Sequence, residues 1–341
     1  MATAITPTGV TFSDSTTQIT AGTARNQQAL IIGGSSTNNS ASPYVYTYTT
    51  TVNNVNNAGV VQSDTSYTGT ARLWARCAGF GYTQSVHFGG FNGATVVNTT
   101  NMISANGTIG SDTTSLGTAR YCHVGLSYGG DKGMFALGSS GSGGTGYQGT
   151  NNLVSSNLVS NTGVVQSDSV GVVQSSNSFR VDAAACSYGI DKAVILFGTT
   201  AGYGTYGSNI ADMDSKALVS NTGVIAAYTY TGFTGRVQHC AAGYGADKGF
   251  TFGGGYYSGR YSNTFNLIDN LGVVGSSQTY VGATSRNSAY AATIGLQGII
   301  FGGQAPGILS SALIVSKTGS ITADIATVAT GRESGAAASY G

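Results

Sequence analysis

The chain has 341 residues, a length that fits one large β domain or two domains of ordinary size. Only 8% of residues are charged, against about 25% in an average globular protein, and polarity comes instead from Ser, Thr, Asn and 53 glycines. Three prolines and no Gly at every third position exclude a collagen helix, 40% apolar content excludes a disordered chain, and a formal net charge of +1 excludes a polycation that would hold nucleic acid by its phosphates.

From the N terminus, the opening MATAITPTGVTFSD has neither a basic nor an apolar leader segment, so no secretory signal and a cytoplasmic synthesis are expected. A glycine hairpin around Gly9 precedes Arg25, and from there a unit recurs. Arginines stand at Arg25, Arg72, Arg120, Arg180, Arg236, Arg286 and Arg332, in steps of 47, 48, 60, 56, 50 and 46 residues. A period of this size marks a solenoid, an array or a propeller.

After the Arg comes a small-residue strand ending in a turn, as at Asp131, Asp191 and Asp247. A short apolar strand follows and ends in glycine at Gly34, Gly90, Gly138, Gly198, Gly254 and Gly303. The second half is a hairpin on a glycine turn, at Gly59, Gly107, Gly163, Gly223, Gly272 and Gly319, a pattern that exploits the freedom of Gly to take positive φ. No segment sustains helical apolar spacing. The longest strongly apolar run, 193–197, is far below the ~20 residues of a membrane-spanning helix, so membrane insertion is not expected. Cys77, Cys122, Cys186 and Cys240 contain no CxxC and are expected as reduced, buried thiols.

Four short antiparallel strands per unit predict an all-β fold, a β-propeller forming one domain over 1–341. Seven arginines and seven glycine hairpins predict seven blades, with repeat units 25–71, 72–119, 120–179, 180–235, 236–285 and 286–331, and with 1–24 and 332–341 sharing the closing blade. Only six glycine-terminated apolar strands occur. A blade missing a strand, a strand donated by a neighbouring chain and a six-bladed ring with extra terminal strands stay open.

The repeat resembles a divergent Kelch unit: an Arg, a His three residues later at His123 and His239, an apolar strand ending in Gly-Gly, then a strand pair. It lacks the Trp of the Kelch fourth strand, the sole Trp being Trp74. The opening ITPTGVTFSDSTTQ is similar to a phrase of tail-fibre and other virion proteins of marine bacteriophages, and the Gly-, Ser-, Thr-, Asn- and Tyr-rich, charge-poor texture agrees with that likeness. These resemblances imply a virion structural protein of tail, fibre or capsid, assembled in a host cytoplasm and localised to the virion, with homo-oligomerisation in the particle open.

Asp14, Asp64, Asp112, Asp168 and Asp324 close the fourth strands, and the next Arg follows after 8 to 12 residues. An Asp of one blade is therefore expected to meet the Arg of its neighbour in a bidentate pair that fixes inter-blade register. A ring of carboxylates holding calcium is the alternative. The adjacent Asp131 and Lys132, Asp191 and Lys192, and Asp247 and Lys248 are expected in solvated turns. His87, His123, His239 and Glu333 are thin material for an active site, and no GxSxG, HExxH or P-loop sequence occurs, so no enzyme activity, cofactor or metal is expected. His123 and His239 are expected near the ring axis as hydrogen-bonded structural groups.

The loops between second and third strands vary in length and carry Tyr147, Tyr203, Tyr206, Tyr256, Tyr257, Arg260 and Tyr261 among Gly, Ser and Asn. That mixture suits rigid aromatic contact with adaptable hydrogen bonding. The expected function is a non-catalytic virion adhesion or structural protein whose tyrosine-rich face binds host-surface polysaccharide or other virion proteins. An intracellular Kelch-type adaptor is the alternative, and a propeller glycan-active enzyme ranks below it.

Overall fold

The computed structural model describes residues 28–37, 46–141, 151–170, 180–199, 213–255 and 261–341, and the backbone of three strands before them. Those three, β1 (Ala2–Thr6), β2 (Gly9–Phe12) and β3 (Thr17–Gln18), form an antiparallel sheet of their own. The first blade begins with β4 (Gln28–Ile32), β5 (Thr51–Val55) and β6 (Thr65–Ser66). The second holds β7 (Arg76–Phe80), β8 (Gln84–Phe88), β9 (Thr99–Ile103) and β10 (Thr113–Thr114), and the third β11 (Val124–Tyr128), β12 (Lys132–Ala136), β13 (Ser155–Val159) and β14 (Ser169–Val170). The fourth holds β15 (Ala184–Tyr188), β16 (Lys192–Leu196), β17 (Ser215–Val219) and β18 (Thr229–Tyr230), and the fifth β19 (Cys240–Tyr244), β20 (Lys248–Phe252), β21 (Thr264–Ile268) and β22 (Gln278–Thr279). The sixth holds β23 (Tyr290–Ile294), β24 (Gln297–Phe301), β25 (Ser311–Val315) and β26 (Ile325–Ala326), and the last strand, β27 (Ala336–Tyr340), returns to pair with β4.

The protein is therefore an all-β propeller of six four-stranded blades, not seven. The extra blade of the sequence count came from treating the N-terminal hairpin as part of the ring. β27 pairs antiparallel with β4 from Ala336 opposite Ile32 to Tyr340 opposite Gln28. This pairing fills the inner edge of β4, so β1, β2 and β3 do not close the ring and pair only among themselves. Closure by a strand from the other end of the chain removes the open edge that a sheet would otherwise expose.

The six first strands β7, β11, β15, β19, β23 and β27 touch one another in cyclic order around the axis. Each of β11, β15, β19, β23 and β27 alternates buried and half-buried residues, because one face packs between blades while the other lines the axial channel. The second strands are buried almost throughout, as in Ala193, Val194, Ile195 and Leu196. Strands buried on both faces read as continuous apolar runs, which is why this was the clearest signal in each unit. The two-residue fourth strands β6, β10, β18, β22 and β26 are exposed at the rim.

Glycine at the end of the second strand has a steric cause. Gly90 has φ +102, and a Cβ there would stand 2.7 Å from the Leu73 carbonyl oxygen of the incoming crossover. The hairpin glycine Gly163, at φ +83, packs on the blade before it, where a Cβ would meet Met102 Cε at 2.5 Å.

Candidate functional site

The six crossover arginines in the described residues, Arg72, Arg120, Arg180, Arg236, Arg286 and Arg332, are at most 1% exposed. A buried guanidinium is costly unless most of its donors are engaged; here the Nη groups carry the bonds, while Nε of Arg72, Arg120 and Arg180 and Nη1 of Arg72 make no hydrogen bond. Arg120 Nη1 donates to the carbonyls of Leu137 (2.9 Å) and Ser155 (3.0 Å), while Nη2 reaches Ser155 Oγ and Asp168 (3.3 Å). Burial lowers its pKa to about 10, against the opposing pull of Asp168, so it stays charged. Arg72 Nη2 donates to Asn101 Oδ1 (2.7 Å) and contacts His87 Nδ1 (2.9 Å). Accepting that bond makes His87 a neutral imidazole, and burial followed by the Arg72 charge holds its pKa well below the ordinary value.

The aspartates do not close the fourth strands; Asp64, Asp112, Asp168 and Asp324 each immediately precede one. Nor does an aspartate pair with the Arg that follows it by 8 to 12 residues. Asp112 meets Arg72 at 3.7 Å, Asp168 meets Arg120, Asp64 meets Arg332 at 3.6 Å, and Asp324 meets Arg286. The partner is the Arg that opens the aspartate's own unit, because the crossover from the preceding blade lies across the top of the next one. The contacts at Asp64 and Asp112 are too long for a bidentate pair. Their shorter bonds go to the threonine two residues before the Arg: Thr70 donates through N (2.9 Å) and Oγ1 (2.6 Å) to Asp112, and Thr330 does the same to Asp64.

A third-strand asparagine completes this latch, and the sequence reading missed it. Asn53, Asn101, Asn157 and Asn266 are fully buried. The amides of Asn53, Asn101 and Asn157 donate to Asp64, Asp112 and Asp168 at 2.6 to 2.7 Å, and Asn266 donates to Ser277, which stands where the aspartate would. A polar residue at one register in an otherwise buried strand was the available signal. Arg25 and Asp14 lie outside the described residues.

Tyr147, Tyr203, Tyr206, Tyr256, Tyr257 and Arg260 also lie outside the described residues, and Tyr261 is half-buried beside Ser262. The ends of the second strands are described. Ser35, Phe91, Ser139, Thr199, Gly255 and Gln304 bridge to Glu333, Leu73, Tyr121, Val181, Val237 and Asn287, each the residue after a crossover Arg. The second-to-third connections thus leave from the crossover face.

That face carries an aromatic patch the sequence reading did not single out. Trp74 stands edge-on to Tyr46, with centroids 5.6 Å apart, and lies 5.9 Å from Tyr121 and 6.3 Å from Phe91. Tyr48 extends the patch to Phe91 at 6.4 Å. Tyr46, Tyr48 and Trp74 are half-buried, while Phe91 and Tyr121 beneath them are buried. Glu333, on the same face, is 3% exposed, and burial pushes its carboxyl up to about 7.

Nearer the axis, the second residue after each Arg has positive φ: Trp74, Cys122, Asp182, Gln238, Ser288 and Ser334, at 51° to 60°. Their main chains join in a closed collar. Cys122 N–H donates to Trp74 O, Asp182 to Cys122, Gln238 to Asp182, Ser288 to Gln238, Ser334 to Ser288 and Trp74 to Ser334, at 2.6 to 3.1 Å. His123 and His239 follow this collar and are buried, but their ring nitrogens make no well-formed hydrogen bond. They are held instead by aromatic edges: His123 by Phe88 and Phe135, and His239 by Phe197, all at 5.5 Å. Burial, then nearby arginine charge, holds both well below the ordinary histidine pKa.

The Asp–Lys turns project from the opposite face, where Lys132 and Lys192 pair with their own neighbours at 2.9 and 3.0 Å. The four cysteines are free thiols. Burial pushes Cys77, Cys186 and Cys240 up to about 12, far from a thiolate at neutral pH. No group of His, Cys, Asp or Glu among the described residues is arranged to hold a metal ion. A scan against protein-family models finds no match to the chain, and a search of curated proteins finds no relative.

Proposed function

We propose that this propeller is a non-catalytic virion structural or adhesion protein that binds through its crossover face, to a host-surface glycan or to a neighbouring virion protein. The observation that carries the reading is the patch of Tyr46, Tyr48, Trp74, Phe91 and Tyr121 on the face from which the variable tyrosine-rich connections leave. Half-buried Tyr and Trp side chains set on buried aromatic neighbours suit both sugar stacking and protein docking. The opposite face offers tight Asp–Lys turns of near-constant length. The likeness of the first residues to phage fibre proteins supports the virion setting, and the latched, charge-poor rim suits a part that is assembled rather than one that turns over substrate.

The test is binding of the whole chain to bacterial surface polysaccharides on an array and to purified phage particles. The double variant Tyr46→Ala, Tyr48→Ala is expected to lose at least tenfold in affinity with folding intact. Ile190→Ser, 71% exposed on the opposite face, is expected to bind unchanged. Equal loss in both variants, or in neither, would remove the crossover face from this role. Retention on the array with loss on particles selects the virion-protein partner.

A further inference from the structure

The axial channel is lined by small residues at almost every level. Five residues after each Arg stand Cys77, Gly125, Ala185, Ala241, Ala291 and Ala337, which line both of its halves, cavities of about 90 and 120 Å³. An arginine and an aspartate break that lining in the half nearer the collar. Arg76 occupies a position held by Val124, Ala184, Cys240, Tyr290 and Ala336 in the other blades, and Asp182 occupies a collar position held elsewhere by Trp, Cys, Gln or Ser.

The bonding of both groups is incomplete. Among the described residues, Arg76 donates only from Nη1, to the carbonyls of Ala75 (2.9 Å) and Gly335 (3.5 Å). Its charge acts on Cys122, Asp182, His239 and Cys240, from three other blades, as expected of a guanidinium near the axis. Asp182 is 1% exposed, the Cys122 thiol acts on it, and its Oδ2 has no hydrogen-bond partner. His239 lines the same cavity with its ring nitrogens likewise unsatisfied. Unpaired polar atoms at this depth are costly unless a ligand or water meets them.

We propose that this cavity binds one small zwitterion, a free α-amino acid or a molecule of that kind, with its carboxylate on Arg76 and its ammonium on Asp182 Oδ2. A bare anion would be repelled by Asp182 and a bare cation by Arg76, whereas a zwitterion satisfies both. At about 30 Å³ of liquid volume per water, a cavity of about 90 Å³ has room for roughly three waters, a space that suits glycine or alanine and excludes most larger side chains. The inference is independent of what the crossover face binds.

Calorimetric titration and thermal unfolding of the whole chain test it, with glycine, L-alanine, acetate and methylamine as probes. Glycine and alanine are expected to bind and to raise the unfolding temperature, with acetate and methylamine at least tenfold weaker. Arg76→Met and Asp182→Asn are each expected to weaken glycine at least tenfold, while Asp182→Asn binds acetate no worse than the parent. If far-UV dichroism shows that either variant does not fold, the probe comparison on the parent chain decides alone. Acetate equal to glycine, or no response to any probe, overturns the proposal.

Discussion

Arg180 stacks on Tyr228, its guanidinium carbon 3.7 Å from the ring centroid, at the place in the repeat where Arg120 meets Asp168. The aromatic face replaces the carboxylate as counter-group for a buried cation. Arg180 keeps the remaining bonds of the latch, donating to the Phe197 carbonyl (2.8 Å) and Ser215 Oγ (2.6 Å). The Tyr228 hydroxyl is buried without a hydrogen-bond partner, so it adds nothing to the stacking. Tyr228→Phe is therefore expected to leave stability unchanged or slightly raised, whereas Tyr228→Ala removes the ring and costs about 2 kcal/mol. Urea unfolding midpoints check this; a loss in Phe as large as in Ala would show that the hydroxyl, not the ring, holds Arg180.

The aspartate latch makes stability depend on acid. Burial tends to raise the Asp168 pKa, but bonds from Thr118, Asn157 and Ser155 outweigh it and hold the carboxyl at about 2; Asp64, Asp112 and Asp324 are lowered for the same kind of reason. A carboxyl whose folded pKa lies below its unfolded value stabilises the fold above the unfolded value and loses that contribution as pH falls through the folded one. Stability is thus expected to fall between about pH 4 and pH 2. Asp168→Asn should flatten that slope and lower stability at pH 7. Unfolding midpoints measured from pH 6 to pH 2 read both, and a slope identical in parent and variant would refute the latch as the source.

Glu333 acts in the opposite direction. Its pKa is raised to about 7 by burial, so the folded chain favours the protonated acid. The group's contribution is fully present below the unfolded value near 4.5 and is lost as pH rises through 7. Glu333→Gln is expected to be more stable than the parent at pH 8 by on the order of 2 kcal/mol, and no more stable at pH 4. Equal stability of the two chains at both pH values would place the carboxyl in water rather than in the crossover face.

What was legible in the sequence was local. The Arg period, the apolar runs ending in Gly90 or Gly303 and the turns at Gly163 or Gly223 each lie within a few residues, and together they gave the strands, the unit and the ring. The number of blades depends on which distant strand takes the inner edge of Gln28–Ile32, a choice between two ends of the chain that no short pattern records. Asn101 was visible as a polar residue in a buried strand, yet its place between Arg72 and Asp112 appears only when side chains meet. The patch around Trp74 joins Tyr46, Phe91 and Tyr121 from different registers of successive units, so it leaves no periodic trace. The collar was hidden for a different reason: positive φ is expected of Gly, Asn or Asp, not of Trp74 or Gln238.

That collar makes Ser288 a sharp test of how the blades are tied at the axis. Its N–H donates to Gln238 O at 2.7 Å, its carbonyl accepts from Ser334 N–H at 3.0 Å, and its φ is +51°. Glycine takes this conformation without strain but has more freedom to lose on folding, so Ser288→Gly should change stability by no more than about 1 kcal/mol. Ser288→Ala keeps the bonds and the strain, and should also be nearly neutral. Proline fixes φ near −65° and has no N–H, so Ser288→Pro breaks the bond to Gln238 and forces the backbone out of register, at a cost above about 3 kcal/mol. Denaturant titrations of the three variants discriminate: proline no worse than alanine would mean that the blades stay closed without an intact collar.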